Sequence, residues 1–142
     1  MTFARTEIAM DNFVDTSVLV AAYDVTDQFH PEALALVSRV KWAAASHSLC
    51  EVFSTLIGKR KVQADDAAAI CNDIEASGDL VDLTTADILA VVKSARSRGI
   101  RGGGIYDALI IQAAVKAGAK TIWSFDQDFA ALSQGVNVKT PK

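Results

Sequence analysis

The sequence predicts an α/β fold of three layers, with helices on both faces of a central, mostly parallel sheet of four to five strands. Two observations lead to this prediction. Short apolar runs typical of strands alternate with stretches of helical spacing, and turn residues separate them. Strands joined through helices in this way pair in parallel by right-handed crossovers. The 142 residues can bury one sizeable core and contain no linker, so we expect a single domain over residues 1–142.

The first half of the chain predicts two strands and three helices. In order, these are a strand over 12–15, a helix over 17–23, a helix that begins at Pro31, a strand over 41–45 and a helix over 48–57. Pro31 suits a first helical turn, because the N–H that proline lacks has no helical partner there. Gly58 is a typical residue at which the last of these helices would end.

The second half continues the alternation. The patterns first predict a helix capped by Asp65 or Asp66 that ends at Ser77-Gly78, a strand over 79–83 and a helix capped by Thr84 or Thr85. A glycine loop over 99–104 and a helix from Asp107 to Gly118 follow. The chain then continues with a strand over 120–125, a short helical turn and an edge strand over 136–138. The side of the helix after Thr84 that we expect to face the core carries Ile88, Leu89, Val91 and Val92.

Four carboxylates stand at the ends of these elements. Asp15 and Asp126 each follow an apolar strand, Asp107 opens a helix, and Glu51 lies in the first turn of another helix. Such positions converge at the carboxyl edge of a parallel sheet, where α/β folds bind their ligands. Two carboxylates 4 Å apart repel by about 4 kcal/mol at an effective dielectric constant of 20. A bound Mg²⁺ or Mn²⁺ would remove this repulsion and suits an all-oxygen site.

Each acidic residue also has a purely structural explanation. Asp15 can cap a helix, and Glu51 can complete a capping box with the serine three residues before it. Asp107 suits the positive end of a helix dipole, while Asp126 and Asp128 are typical turn residues. The arrangement favours a functional site, because independent caps have no reason to converge at one edge.

Hydroxyl and basic residues supplement the four acids. Thr16, Ser17 and Ser124 lie beside the acids in sequence and are expected to support them, as is Asp128. The net charge of −3, from 14 basic and 17 acidic residues, is not typical of a general nucleic-acid binder, so any polyanion must meet a metal or a local basic patch. The candidates for substrate contact are Lys59, Arg60, Arg98 and Arg101, although basic residues near helix ends are often simply solvated.

The cysteines and the apolar runs of the sequence indicate where in the cell the protein works. Cys50 and Cys71 show no spacing typical of a zinc site or a disulfide framework, which favours reduced cysteines. No apolar run approaches the ~20 residues of a membrane span. We therefore expect a cytoplasmic protein with no membrane contact.

Four motifs in this order resemble those of PIN domains. They are the segment DTSVL from Asp15, the segment SLCEVF around Glu51, the segment YDALIIQAA around Asp107, and the segment SFDQDF from Ser124. The resemblance covers nearly the whole chain, and within the family the chain is most similar to the VapC toxins of bacterial toxin–antitoxin pairs. It departs from the family pattern at Ser124, where threonine is common, and keeps the hydroxyl.

The resemblance implies a PIN-like fold and a metal-dependent endoribonuclease that hydrolyses RNA with a metal-activated water. It implies Asp15, Asp107 and Asp126 as ligands of Mg²⁺ or Mn²⁺, with Glu51 as the fourth catalytic residue. It also implies an RNA substrate, a small cognate antitoxin protein and a homodimer. Two alternatives remain at this point: a non-catalytic binding module with the same fold, and a receiver-like phospho-signalling domain, for which Asp82 is a poor phosphate acceptor.

Overall fold

A computed structural model of the chain describes residues 10–126, residue 129 and residues 134–142. Five strands lie in this part of the chain: β1 (Asn12–Val14), β2 (Trp42–Ala45), β3 (Asp79–Val81), β4 (Thr121–Trp123) and β5 (Asn137–Lys139). Its helices are α1 (Thr16–Tyr23), α2 (His30–Arg39), α3 (Ser48–Gly58), α4 (Ala64–Ser77), α5 (Thr85–Ser94) and α6 (Gly104–Lys116). The predicted short helical turn after β4 falls largely on residues outside those described.

The five strands form one sheet in the order β3-β2-β1-β4-β5, and every neighbouring pair is parallel. The predicted three-layer fold is confirmed, including the last strand, which forms an edge. The chain leaves β1 to build the sheet toward β3, and later returns to add β4 on the other side of β1. The order reverses between β1 and β4, and such a reversal opens a crevice at the carboxyl ends of the two strands.

Residues on β1 and β2 alternate between the two faces of the sheet, as the period of a strand requires. Val14 and Ala44 pack in a core cluster with residues of α1 to α4 on one face. Phe13 and Ala43 pack with residues of α6 on the other face. Both faces are therefore covered, which is why the strands read as short apolar runs and not as alternating polar and apolar residues.

Two helix starts agree with their caps in the sequence. Asp15 caps α1, where its side chain accepts a hydrogen bond from the Val18 N–H at 3.1 Å. Thr84 caps α5 through a capping box, in which Thr84 Oγ1 accepts from the Asp87 N–H at 3.1 Å and Asp87 Oδ2 accepts from the Thr84 N–H at 2.8 Å. These side chains satisfy N–H groups that have no partner within the helix.

Two other predicted helix starts were wrong. α4 begins at Ala64 with Gln63 in the cap position, and Asp65 and Asp66 lie in its first turn, where they complement the helix dipole without capping. α6 begins at Gly104, three residues before the predicted start, so the glycine loop is shorter than expected. In both cases the chain enters the helix before the first acidic residue that the sequence offers.

The predicted inner side of α5 was also largely wrong. Val91 is buried, but Ile88, Leu89 and Val92 are 39–49% exposed. α5 packs chiefly against α6, so that only a narrow stripe of the helix is covered. No helix in the described ranges has the length and apolar character needed to cross a membrane.

Gly78, which follows α4, should not tolerate a side chain. A Cβ atom added there would lie 2.2 Å from the ring of Trp42, which is buried and donates from Nε1 to the Val37 carbonyl at 3.2 Å. We expect Gly78→Ala to lower the free energy of unfolding by about 3 kcal/mol, because the buried ring must move. Urea denaturation of the variant measures this.

Gly58→Ala is the matched control, because Gly58 ends α3 and a Cβ added there would meet nothing within 4 Å. We expect a change of less than about 1 kcal/mol, in the stabilising direction if any. Equal destabilisation by the two substitutions would contradict the packing of Trp42 described here.

Candidate active site

A cleft of about 530 Å³ opens at the carboxyl edge of the sheet, at the crevice between β1 and β4. It is lined by residues of α1, α3 and α6 and of the segment after β4. The four predicted acids all line it: Asp15, Glu51, Asp107 and Asp126. The parallel register explains this convergence, because Val14 pairs with Trp123 and both strands end there.

Asp15 is buried, with 3% of the residue exposed. Its Oδ1 accepts from the Ser17 hydroxyl at 2.6 Å and from the Val18 N–H at 3.1 Å, and its Oδ2 accepts from the Ser124 hydroxyl. Burial nevertheless raises the pKa of Asp15 to about 6, because the hydrogen bonds offset only part of the lost hydration and the negative charge of Asp126 adds to the effect.

The segment that carries Asp126 is fixed to Asp15 by two hydroxyl groups. Ser124 donates to Asp15 and accepts from the Asp126 N–H at 2.8 Å. Ser17 donates to Asp15 and accepts from the Phe125 N–H at 3.1 Å. The hydroxyls of Ser17 and Ser124 thus hold the ends of β1 and β4 in register. Asp126 stays exposed at the cleft.

Glu51 does not form the capping box that the sequence offered as an alternative. His47 occupies the cap position of α3 without a side-chain cap, and the hydroxyl of Ser48 is buried without a hydrogen-bond partner. The side chain of Glu51 turns to the cleft instead. Partial desolvation raises its pKa, and the negative charges of Asp107 and Asp15 raise it further.

Thr16 lies between these acids. The hydroxyl of Thr16 opposes the rise in the pKa of Glu51. Its Oγ1 atom is buried and interacts with Glu51 without reaching the geometry of a full hydrogen bond. Asp107 is half-buried in the first turn of α6 and reaches the cleft from the other face of the sheet.

The PIN domain family model matches residues 13–134 of the chain. The chain belongs to the PIN domain family. This membership argues against the receiver-like signalling domain that the sequence left open. Comparison with the curated proteins gives no match.

Several solved structures share the fold of this PIN domain. VapC20 of Mycobacterium tuberculosis, a toxin that cleaves the sarcin–ricin loop, is 22% identical with a TM-score of 0.73, over 85% of this chain and 94% of that chain. VapBC2 of Rickettsia felis, solved with a DNA fragment from its promoter, is 15% identical with a TM-score of 0.66, over 94% and 100% of the two chains. PAE2754 of Pyrobaculum aerophilum is 17% identical with a TM-score of 0.61, over 96% and 88%.

The four predicted basic residues of the PIN domain do not lie together. Lys59 and Arg60 line the cleft, whereas Arg98 and Arg101 are not among the described residues that line it. The guanidinium of Arg60 is engaged in two ion pairs that link the end of α3 to the loop after α1, and Arg98 donates to Ser94 Oγ at 3.4 Å. Lys59 therefore remains the best placed of the four for contact with a substrate phosphate.

The donor set of the cleft suits a hard divalent cation. All candidate ligands are oxygen atoms, Asp15 is oriented by three hydrogen bonds, and the buried Thr16 hydroxyl lacks a full hydrogen bond. Within the residues that the structure describes, no three acidic, histidine or cysteine side chains are close enough to enclose one ion. This spacing fits Mg²⁺, which keeps several waters and is commonly held by one or two carboxylates together with substrate phosphates.

Sequence reasoning missed an aromatic pair at the same cleft. Phe29 and Phe125 stack with their ring centroids 4.4 Å apart, and both line the cleft. The order of the loop before Phe29 could have been inferred from Asp24-Val25-Thr26, since an aspartate two residues before a threonine favours an Asx turn. Asp128, predicted as a supporting residue, lies outside the described residues.

Proposed function

We propose that this PIN domain is a divalent-metal-dependent endoribonuclease and the toxin of a type II toxin–antitoxin pair. The observation that carries the proposal is the convergence of Asp15, Glu51, Asp107 and Asp126 on one cleft at the reversal point of the sheet. The raised pKa values of Asp15 and Glu51 support it, because acids with perturbed pKa values in a cleft are typical of functional sites. We treat residues 1–142 as one domain that performs this function.

The chain's own residues would divide the work as follows. Asp15 and Asp107 would hold Mg²⁺ or Mn²⁺ directly, and Asp126 would bind the hydrated ion through one of its waters. When bound, such an ion activates water and neutralises charge on a phosphate. Glu51, whose pKa is raised, is suited to take the proton of the attacking water at its carboxylate. The Thr16 hydroxyl, which lies beside Glu51, would orient that water.

Other residues would bind the substrate and the partner proteins. Lys59 is placed to contact a phosphate at the rim of the cleft. The proposal of a small antitoxin draws on the fold shared with VapBC2, and the proposal of a homodimer draws only on the resemblance of the four sequence motifs to VapC toxins. The apolar side chains exposed on α5 offer surface that protein partners commonly cover. Growth arrest on expression, relieved by a small protein encoded beside this chain, would support the toxin assignment.

Asp107→Asn should lower cleavage of total bacterial RNA by roughly 100-fold or more, since a metal ligand matters at least as much as the groups that orient one. The asparagine keeps the size of the side chain but loses the charge that holds the cation. The assay follows RNA fragments on a gel in Mg²⁺, in Mn²⁺ and in EDTA. Cleavage by the unaltered chain should require the metal.

Asp65→Asn provides the matched control, because Asp65 is also a first-turn helix carboxylate but lies outside the cleft lining. It should cleave RNA as fast as the unaltered chain. Cleavage that survives Asp107→Asn, or that persists in EDTA, would contradict the metal-dependent mechanism. RNA binding without cleavage by the unaltered chain would favour the non-catalytic module instead.

A further inference from the structure

An exposed aromatic surface lies inside the acidic cleft. The rings of Phe29 and Phe125 are nearly parallel, with an interplanar angle of 8° and centroids 4.4 Å apart. Phe125 stands directly before Asp126, and both rings line the cleft that holds the four acids. Phe29 is still 37% exposed after it has stacked on Phe125. The pair therefore presents apolar ring surface to solvent beside charged groups.

The position of Phe29 is fixed by a network of charged groups. Its N–H donates to Asp27 Oδ1 at 2.8 Å. Arg60 holds the loop by two ion pairs, at 2.9 Å to Asp27 and at 2.8 Å to Asp24. Asp24 in turn accepts from the N–H and the hydroxyl of Thr26 at 2.9 and 2.7 Å. These contacts hold the loop in one conformation, so that the ring is in place before any ligand arrives.

The position of Phe125 is tied to the catalytic carboxylate. Its N–H donates to Ser17 Oγ, and Ser17 donates to Asp15. The hydrogen bonds of Ser17 thus set the position of Phe125 relative to the buried acid, and Phe29 joins them by stacking on Phe125. A rigid platform of this kind loses little conformational entropy on binding.

We propose that the Phe29–Phe125 pair is a stacking platform for one unpaired nucleobase of the RNA substrate, an inference that rests on the proposed nuclease function. A nucleobase has flat, apolar faces that can stack on the exposed ring. The phosphates of the same nucleotide chain are charged and can meet the cation in the neighbouring cleft. Aromatic rings stack on every base, so the platform selects for an accessible base and not for sequence. Bases inside a duplex have covered faces, so the platform requires one unpaired nucleotide of the bound RNA to lie at the cleft.

The test uses a single-stranded RNA 10-mer that carries 2-aminopurine, whose fluorescence falls when it stacks on a ring. The same oligonucleotide annealed to its complement is the duplex probe. Binding is measured with Ca²⁺ in place of Mg²⁺, and KM and kcat are measured in parallel with Mg²⁺. The unaltered chain should quench the single strand and bind it more tightly than the duplex.

Three variants separate stacking from general effects. Phe29→Leu keeps an apolar side chain without a ring and should raise Kd and KM for the single strand about tenfold or more, with loss of quenching. Phe29→Tyr keeps the ring and should stay within about twofold of the unaltered chain. Tyr106→Leu removes an aromatic ring that is 63% exposed outside the cleft lining, and it should change nothing. Thermal unfolding of each variant reports whether it is folded.

Three results would overturn the platform. If Phe29→Leu binds, quenches and cleaves the single strand as the unaltered chain does, the pair has no role in substrate binding, while the nuclease function stands. The same holds if Phe29→Leu weakens only the binding of a protein partner. If the unaltered chain neither binds nor cleaves RNA, the proposed function and the platform fall together.

Discussion

Asp15→Asn is expected to abolish metal-dependent RNA cleavage and at the same time to make the protein more stable. Asp15 is the most buried of the four acids, and every polar neighbour around it is oriented toward its carboxylate. The amide has nearly the same shape but cannot supply the negative charge that a divalent cation requires. We expect cleavage to fall by roughly 1000-fold or more, the scale of losing a central group that stabilises transition-state charge.

The expected gain in stability follows from the hydrogen bonds that asparagine can keep. Its oxygen can accept from Ser17 and Val18 as the Asp15 Oδ1 atom does. Its amide can donate to Ser124 Oγ, whose own hydroxyl then turns to the Asp126 carbonyl, 3.3 Å away. The cost of burying a charge is removed, and the pKa of about 6 puts that cost on the order of 3 kcal/mol. We expect a net gain in the free energy of unfolding of about 1–3 kcal/mol.

Asp15→Ala is the informative control for both measurements. It also removes the charge, but it removes the cap of α1 as well, which costs about 1 kcal/mol, and it leaves the hydroxyls of Ser17 and Ser124 without their acceptor. Both variants should be inactive, while urea denaturation should find the alanine variant less stable than the asparagine variant. An active asparagine variant would refute the role of Asp15 in catalysis.

The convergence of the four acids could be predicted from the sequence because it depends on short-range patterns and one rule of topology. Asp15 and Asp126 follow apolar runs, and parallel strands bring such positions to one edge. Glu51 was harder to place, since its local pattern taken alone favoured a capping box over a functional role. In the structure the capping box is absent, because tertiary packing buries Ser48 in the first turn of α3 and His47 takes the cap position.

Other features depend on partners that are distant in sequence and leave no local pattern. The stacking of Phe29 on Phe125, and the hold of Arg60 on the loop before Phe29, join segments that meet only when α1, α3 and β4 are assembled. The exposure of α5 is of the same kind: its apolar spacing is helical, but how much of it is covered depends on which neighbours the helix finds. Periodicity shows that a helix has an apolar side, and the assembled fold determines how much of that side is buried.

The free energy of unfolding of the metal-free protein should depend on the charge of Asp15 between about pH 4 and pH 6. The pKa of Asp15 is raised from 3.8 to about 6, so in this range the folded state binds more protons than the unfolded state. The contribution to stability is therefore complete below about pH 4 and is lost as the pH rises through 6. Glu51, whose pKa is also raised, acts in the same direction.

Urea denaturation in EDTA, compared between the unaltered chain and Asp15→Asn across this range, reports the charge of Asp15 together with its coupling to the nearby acids, because titrating groups that do not interact with Asp15 cancel. The stability advantage of the variant should be absent near pH 4 and grow to its full value above pH 6. An advantage that does not change with pH would show that the gain comes from packing and not from the removed charge.

Mn²⁺ should offset the cost of burying the ionised Asp15 carboxylate in the unaltered chain, because the ion binds the ionised carboxylates of the folded state only. At a concentration 100 times its Kd, a ligand of this kind stabilises by about 2.7 kcal/mol, which for a chain of this length raises Tm by about 8 °C. The shift should shrink at pH 5, where protons compete with the ion for Asp15, and should nearly vanish in Asp15→Asn at either pH. Thermal melts with and without Mn²⁺ measure it without reference to activity. An equal rise of Tm in the two proteins would place the ion elsewhere and would separate the buried carboxylate from metal binding.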